Sequence, residues 1–495
     1  MSEPTSVNTR DYLTYLAMLL VFGAGIWLIL SFGSRQHPRP AVSPSSIEHV
    51  STTGSPTPAS TPDSSAQTES STPAGVVRSY VERVFRQNLR SSLSVLLLQL
   101  VVIIVCARFF GSLFPRVGQP RVMGEIIAGI VLGPSLLGLI SPRAMNFLFP
   151  TNSLEPLRLL SQIGVALFMF VVGMELDVAH LRKKAHTAIM VSHASIIVPF
   201  LLGTALSLLV YGSLAPSQIS FTAFSLFLGI AMSITAFPVL ARILEDRKLS
   251  QTPLGAIALT CAAVDDVSAW CALALVIAIA QSTGVAASLL TVALTAVFVC
   301  VMVLVIKPIL ARLLSARANT AQQHSALVAG VLAFVLVCAL VTEAIGIHAL
   351  FGAFLAGVIM PSTTGIRELL QTKLGSFSTA ALLPLFFAFT GLRLQIGLMN
   401  DWQSWAMCGL IIVVAITGKL GASMLMARWT GLSWRDAFAL GALMNTRGLV
   451  ELVVLNIGYD LGILSARAFA MLVLMALVTT FMTGPLLSLA RAKAD

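Results

Sequence analysis

Charge is what this sequence has least of. Only 11% of its 495 residues are Asp, Glu, Lys or Arg, while 57% are hydrophobic, and a soluble domain carries about 25% charged residues. A large core cannot close that gap, so much of the surface must face lipid. Cysteine is scarce as well. The six present (Cys106, Cys261, Cys271, Cys300, Cys338 and Cys408) lie far apart within apolar stretches, which excludes a disulfide framework or a thiolate metal site and leaves small packing residues. No strand–G-x-G-x-x-G–helix unit occurs, so no nucleotide-binding domain and no cofactor are expected. The net charge of +10 would suggest nucleic acid in a soluble protein. Here the basic residues sit in short loops between apolar runs, as membrane topology requires.

What is present is a succession of those runs. A first covers Tyr12 to Phe32, and a Ser/Thr/Pro-rich stretch from Ser34 to about Ala74 follows that cannot form a core. From Leu93 onward, windows near the ~20 residues needed to cross the hydrocarbon number thirteen. They are roughly 94–114, 120–140, 157–176, 187–210, 220–241, 253–280, 286–306, 324–344, 348–361, 376–393, 403–426, 434–457 and 465–489. The expected organisation is an N-terminal transmembrane anchor over 1–33, a linker over 34–92 and an all-α polytopic domain over 93–495. A cleaved signal peptide is the rival for the first segment; its weak basic region, with Glu3 and Asp11 offsetting Arg10, favours a retained anchor.

Loop charge gives the orientation. Alternate loops hold seventeen basic residues, among them Arg116, Arg121, Arg182–Lys184, Arg242, Arg247 and Arg435, and the opposite loops hold four: Arg143, Arg158, Arg393 and Arg467. The positive-inside rule places the C-terminus in the cytoplasm and the linker outside. A cell-membrane protein, bacterial and of the inner membrane, is the expectation.

Two spans are interrupted. The fifth contains Ser233-Ile-Thr-Ala-Phe-Pro238, where proline removes a helix bond, and the twelfth contains Asn445-Thr-Arg-Gly448. They are seven spans apart, an odd offset, so they run in opposite directions, and the sixth and thirteenth spans repeat the ~210-residue offset. Inverted repeats with discontinuous helices are the pattern of secondary transporters, because broken backbone at membrane depth must line a cavity or be buried in protein.

The chemistry centres on Asp265 and Asp266, adjacent in Leu259-Thr-Cys-Ala-Ala-Val-Asp-Asp-Val-Ser-Ala-Trp270. Each acid costs roughly 2.5–3.5 kcal/mol at a helix centre. Neighbouring helix positions point about 100° apart, so one acid can face a cation cavity while the other meets a different partner. At bilayer depth a carboxylate holds a proton or a cation but not readily both, and that competition is all that obligatory exchange requires. Lys419, in Ile416-Thr-Gly-Lys-Leu-Gly421, needs an anion, and Asp265 is the expected one, with Asp266 left free. Arg447 and Glu451 can pair at i, i+4 and hold the broken helix in shape. Glu125, Glu175 with Asp177, Glu343 and His348 read as structural groups near span ends, and Gly129 with Gly133 as a close helix contact.

These segments resemble the monovalent cation/proton antiporters of the second superfamily branch, which includes bacterial potassium-efflux and sodium/proton exchangers and the plant endomembrane cation/proton exchangers. The resemblance is carried by Gly124-Glu-Ile-Ile-Ala-Gly-Ile-Val-Leu-Gly-Pro-Ser135, Leu167-Phe-Met-Phe-Val-Val-Gly-Met-Glu-Leu-Asp177, Thr235-Ala-Phe-Pro-Val-Leu-Ala-Arg242, Ala263-Val-Asp-Asp266, Gly346-Ile-His-Ala-Leu-Phe-Gly352 and Gly441-Ala-Leu-Met-Asn-Thr-Arg-Gly-Leu-Val-Glu451, in family order. It implies a thirteen-helix antiporter fold, with an interface domain, a mobile core and two crossing discontinuous helices, commonly as a homodimer. It further implies that Asp266 is the cation- and proton-binding aspartate, with transient Na⁺ or K⁺, and that Asp265 fills the preceding position. Lys419 matches a core lysine, and Thr235, Ser233, Asn445 and Arg447 are supporting positions. The expected function is exchange of Na⁺ or K⁺ for protons by alternating access, with a proton-uncoupled cation channel as the alternative. An intramembrane aspartyl protease needs two carboxylates facing each other across a shared proton, which adjacent acids on one helix cannot easily supply, so no enzyme is expected.

Overall fold

Long uncharged runs must satisfy their backbone internally in lipid, and only helix does that within one segment. A computed structural model describes residues 9–37, 91–175, 185–249, 252–281, 285–315, 321–361 and 364–491, and among them every regular element is helical. We label the principal helices α1 (Thr9–Gln36), α2 (Ser92–Leu113), α3 (Arg121–Leu132), α4 (Leu154–Glu175), α5 (Ala185–Leu214), α6 (Phe221–Ser233), α7 (Phe237–Asp246), α8 (Pro253–Gln281), α9 (Val285–Val301), α10 (Ala321–Ile345), α11 (Ala349–Val358), α12 (Leu383–Arg393), α13 (Trp402–Ile416), α14 (Trp434–Met444), α15 (Leu449–Asp460) and α16 (Ala466–Arg491). Among the described residues ten helical stretches are long and apolar enough to cross a membrane, and an eleventh is the α14–α15 pair, bent by 40°. The shorter apolar helices α6 and α11 occupy the two remaining windows of the thirteen. Most of the Ser/Thr/Pro-rich linker, Arg182–Lys184 and Asp177 lie outside the described residues.

The helices sort into two bodies. In one, which we call the frame, α3 lies between α2 and α12, while α11 packs against α4 and α10. Gly129 is one of the glycines that let these helices close up: a Cβ there would stand 2.4 Å from the Ala388 carbonyl oxygen, so the expected small-residue approach is made between α3 and α12. The other body, the bundle, gathers α5, α6, α7 and α8 with α13 to α16. Helix α1 packs on the bundle through α5 and α6, and the His37 ring sits 4.8 Å from Tyr211. Helix α9 touches α8 on one side and α10 on the other.

At its two ends the seam between the bodies is built differently. At one end Arg393 of α12 clamps Asp460 of α15 at 2.7 Å and donates to Asn456 Oδ1 at 3.0 Å. The Asn456 amide donates in turn to Thr390 at 2.8 Å, and Arg158 stands 3.8 Å from Asp460. At the other end the seam opens into a cleft of about 320 Å³, with Gln119, Pro120 and Arg121 on the frame side and Arg242, Arg247 and Thr480 on the bundle side.

Candidate functional site: two helix breaks and an acidic pair

Both interruptions are real breaks, and they abut. The backbone leaves the helix over residues 234–236 between α6 and α7, and over 446–448 between α14 and α15. The Ala236 N–H donates to the Thr446 carbonyl at 3.0 Å, so each break supplies a partner that its own helix lacks. Pro238 falls in the first turn of α7, where a missing N–H costs nothing. Gly448 has φ +155°, a conformation that L side chains rarely adopt, and a Cβ on it would stand 2.9 Å from Val239.

A helix that stops in the membrane leaves its last carbonyls without donors. Two buried cations serve those of α6. Arg447 donates to the Ala231 oxygen at 2.9 Å and the Met232 oxygen at 2.6 Å, and pairs with Glu451 at 3.2 Å. Lys419 donates to the Ser233 carbonyl, and to the Ser195 carbonyl at 2.8 Å. Positive charge at this helix end also opposes the negative pole of the macrodipole. Lys419 reaches inward from a π-helical turn, Thr417–Gly421, and is fully buried, so it does not snorkel to an interface.

The acids divide. Asp265 is saturated: Ser192 donates to it at 2.5 Å, Ser195 and Thr235 at 2.6 Å each, and Lys419 at 3.1 Å. Asp266 is equally buried, yet neither of its carboxylate oxygens has a hydrogen-bond partner. The backbone amide of Phe237, first residue of α7, acts on it, as do the charges of Asp265 and Lys419. Asp266 therefore lies by the N-terminal, positive pole of a half-helix. Asn445, at the second break, has both side-chain polar atoms buried and unpartnered.

Of the residues singled out in the sequence, Asp265, Lys419, Thr235 and Ser233 meet in one buried network. Arg447 joins it through the end of α6. Ser233 participates through its carbonyl, while its hydroxyl bonds the Gly229 and Ile196 oxygens at 2.7 and 3.0 Å. Glu343 and His348 serve the start of α11: Glu343 accepts from the Ala349 N–H at 2.8 Å, and the His348 ring accepts from the Leu350 N–H at 3.4 Å. Sequence reasoning missed Ser192, Ser195 and Thr480. The first two hold Asp265, and Thr480 exchanges hydrogen bonds of 2.6 and 3.0 Å with the Arg447 backbone. Their signal was hydroxyls at i, i+3 in an otherwise apolar span, too common a pattern to select them. Thr480 also lines the open cleft, so water at that end comes within one side chain of the break. Among the described residues no cluster of His, Cys, Asp and Glu could hold a resident metal.

A buried carboxylate without donors is costly as a bare anion. This arrangement offers one acid that must take a proton or a cation, beside a second whose charge is already balanced.

Comparisons with known proteins agree with this architecture. The 45% identical Na(+)/H(+) antiporter NhaS4 of Synechocystis aligns over 397 residues, 80% of this chain and 97% of its own length. Cation/H(+) antiporter 17 of Arabidopsis thaliana is 41% identical over 400 residues, 80% of this chain but 48% of the relative, so the chain spans about half of that protein. The sodium proton antiporter MjNhaP1 of Methanocaldococcus jannaschii superposes with a TM-score of 0.57 at 12% identity, covering 79% of this chain and 95% of that one, which is a likeness of fold. The family model for the transmembrane part of sodium/hydrogen exchangers matches residues 100–490. The chain belongs to the sodium/hydrogen exchanger family of multi-pass membrane proteins.

Proposed function

We propose that this chain is a secondary active antiporter that exchanges Na⁺ or K⁺ for protons, with Asp266 as the group at which the two compete. The observation that carries the reading is the Asp266 carboxylate, buried among helix breaks with both oxygens unpartnered. Its relatives' names, Na(+)/H(+) and cation/H(+) antiporter, support it. Asp265 is no second seat, because three hydroxyls and Lys419 occupy its lone pairs. Thr235 and the backbone of the two breaks line the site, with Asn445 offering an oxygen to a cation. Lys419 and Arg447 keep α6 intact up to its broken end.

Alternating access follows from the seam. The basic end is open and the Arg393–Asp460 end clamped, and this asymmetry supports access to the break from the basic side in this state. Displacement of the bundle against the frame would reverse that asymmetry around a fixed site. In everted vesicles, Na⁺ or K⁺ should dissipate a preformed proton gradient, and Asp266→Asn should abolish the response; normal exchange by that variant would remove the assignment.

The orientation that we propose puts the basic cleft and the C-terminus in the cytoplasm of a cell membrane. Helix α1, 28 residues and ~42 Å long, serves as a retained anchor packed on the bundle. A mature protein whose mass lacks residues 1–33 would refute the anchor. A homodimer through the frame completes the reading. The ridge of Leu93, Leu97, Val101, Val105 and Phe109 along α2 is exposed over its whole length, and failure of Val101→Cys to cross-link copies in membranes would count against that face.

A further inference from the structure

Two unsatisfied polar groups share one face of α8. Asp266 has two oxygens without donors, and Trp270, one turn further on, has a buried indole N–H without an acceptor. Residues at i and i+4 stand about 5–6 Å apart at Cβ, and helical side chains lean back toward the N-terminus. Spacing and lean together put the indole on the same side of α8 as Asp266, one turn away. An unmet donor in the protein interior costs about 1–3 kcal/mol, and buried tryptophans usually find a partner. On α8 the acceptors left over are the oxygens of Asp266.

The position of the ring adds a second observation. Trp270 is 2% exposed and stacks on Phe354, centroids 6.1 Å apart and planes 26° apart. Phe354 belongs to α11, in the frame, so the stack crosses the seam. Trp270 is thus both a buried, unpartnered donor one turn from the unpaired acid and a contact between the two bodies.

On the reading that Asp266 is the exchange site, we propose that Trp270 is a positioning residue of that site: its indole N–H donates through a water to the empty Asp266 carboxylate and gives way when a cation or proton arrives. The indole then competes with the cation for the same lone pairs, while the ring sets how readily the bundle leaves the frame. Other charge is fixed during this exchange. Asp265 and Lys419 pair with each other, α5 presents hydroxyls, and Arg242, Glu245, Arg435 and Asp436 on α7 and α14 are exposed. His193 of α5 bonds its own helix at the Ile189 oxygen.

The two roles separate in transport kinetics. In vesicles at one fixed alkaline pH, Trp270→Phe should lower the KM for Na⁺ or K⁺ roughly three- to tenfold, since one net hydrogen bond is lost, with Vmax within about twofold. Phe354→Leu keeps the N–H and removes the stack, so it should change Vmax and leave KM within about twofold. An unchanged or raised KM in Trp270→Phe, with the native protein active, overturns this inference alone. A native protein without exchange overturns both it and the antiporter reading. Should Trp270→Phe fail to accumulate, ¹⁹F spectra of the native chain labelled with 5-fluorotryptophan decide the same point. One of its six tryptophan resonances should move on adding Na⁺ or K⁺, and none should in Asp266→Asn. Six unmoved resonances in the native protein overturn the proposal.

Discussion

Removing the Lys419 ammonium should destabilise the protein more than removing it together with the charge of Asp265. In the native structure that ammonium donates to Asp265 at 3.1 Å and to two backbone carbonyls, and both side chains are fully buried. Lys419→Met leaves the Asp265 charge unbalanced and strips the Ser233 and Ser195 oxygens of a donor. Breaking a buried pair from one side costs about 3–5 kcal/mol. At ~2.1 cal/mol/K of unfolding entropy per residue, a body of ~400 residues should lose about 4–6 °C of thermal midpoint. Adding Asp265→Asn removes the orphaned charge, and the hydroxyls of Ser192, Ser195 and Thr235 can reverse their roles toward the amide. The double variant should therefore recover part of the loss, about 1–3 kcal/mol as a coupling energy. The assay is the midpoint of the detergent-solubilised protein for wild type, both single variants and the double, at one heating rate. A double variant less stable than Lys419→Met, or a Lys419→Met indistinguishable from wild type, would refute the reasoning that charge balance at Asp265 is what the lysine supplies.

Two other perturbations test the breaks and the seam. Arg447→Gln should lower membrane accumulation severalfold, because the Ala231 and Met232 oxygens lose charged donors and Glu451 is left alone; Glu451→Gln in the same chain should restore part of it, and an additive loss would contradict the pairing. Asp460→Asn weakens the clamp on Arg393 and Arg158, so a cysteine introduced at Ser161, beside the clamp, should react faster with a membrane-impermeant thiol reagent by roughly 3–10-fold, the effect of ~1 kcal/mol on a two-state equilibrium. A rate equal to that of wild type would show that the clamp does not hold the seam closed.

How far the sequence reads into this molecule differs from element to element. All thirteen apolar windows coincide with helix, because lipid leaves an uncharged run of that length no other way to satisfy its backbone. Both interruptions were legible for the same reason: Pro238 and the Asn445–Gly448 stretch are local defects in runs that are otherwise uniform. Linear reading falls short wherever the partner is remote. Ser192 and Ser195 stand about seventy positions before the acid that they hold, and no periodicity points from one to the other. Arg393 was legible as a loop charge, but its clamp on Asp460 depends on α12 and α15 ending side by side.

By itself the sequence determined the solvent of this protein, the placement of its spans, the sites of its two breaks and the presence of acids and a lysine at membrane depth, since hydropathy and helix-breaking chemistry act along the chain. Only the tertiary structure decided which carboxylate is free. Asp265 and Asp266 have nearly the same sequence context, and a rotation of about 100° around one helix gives the first four side-chain donors and the second no side-chain donor.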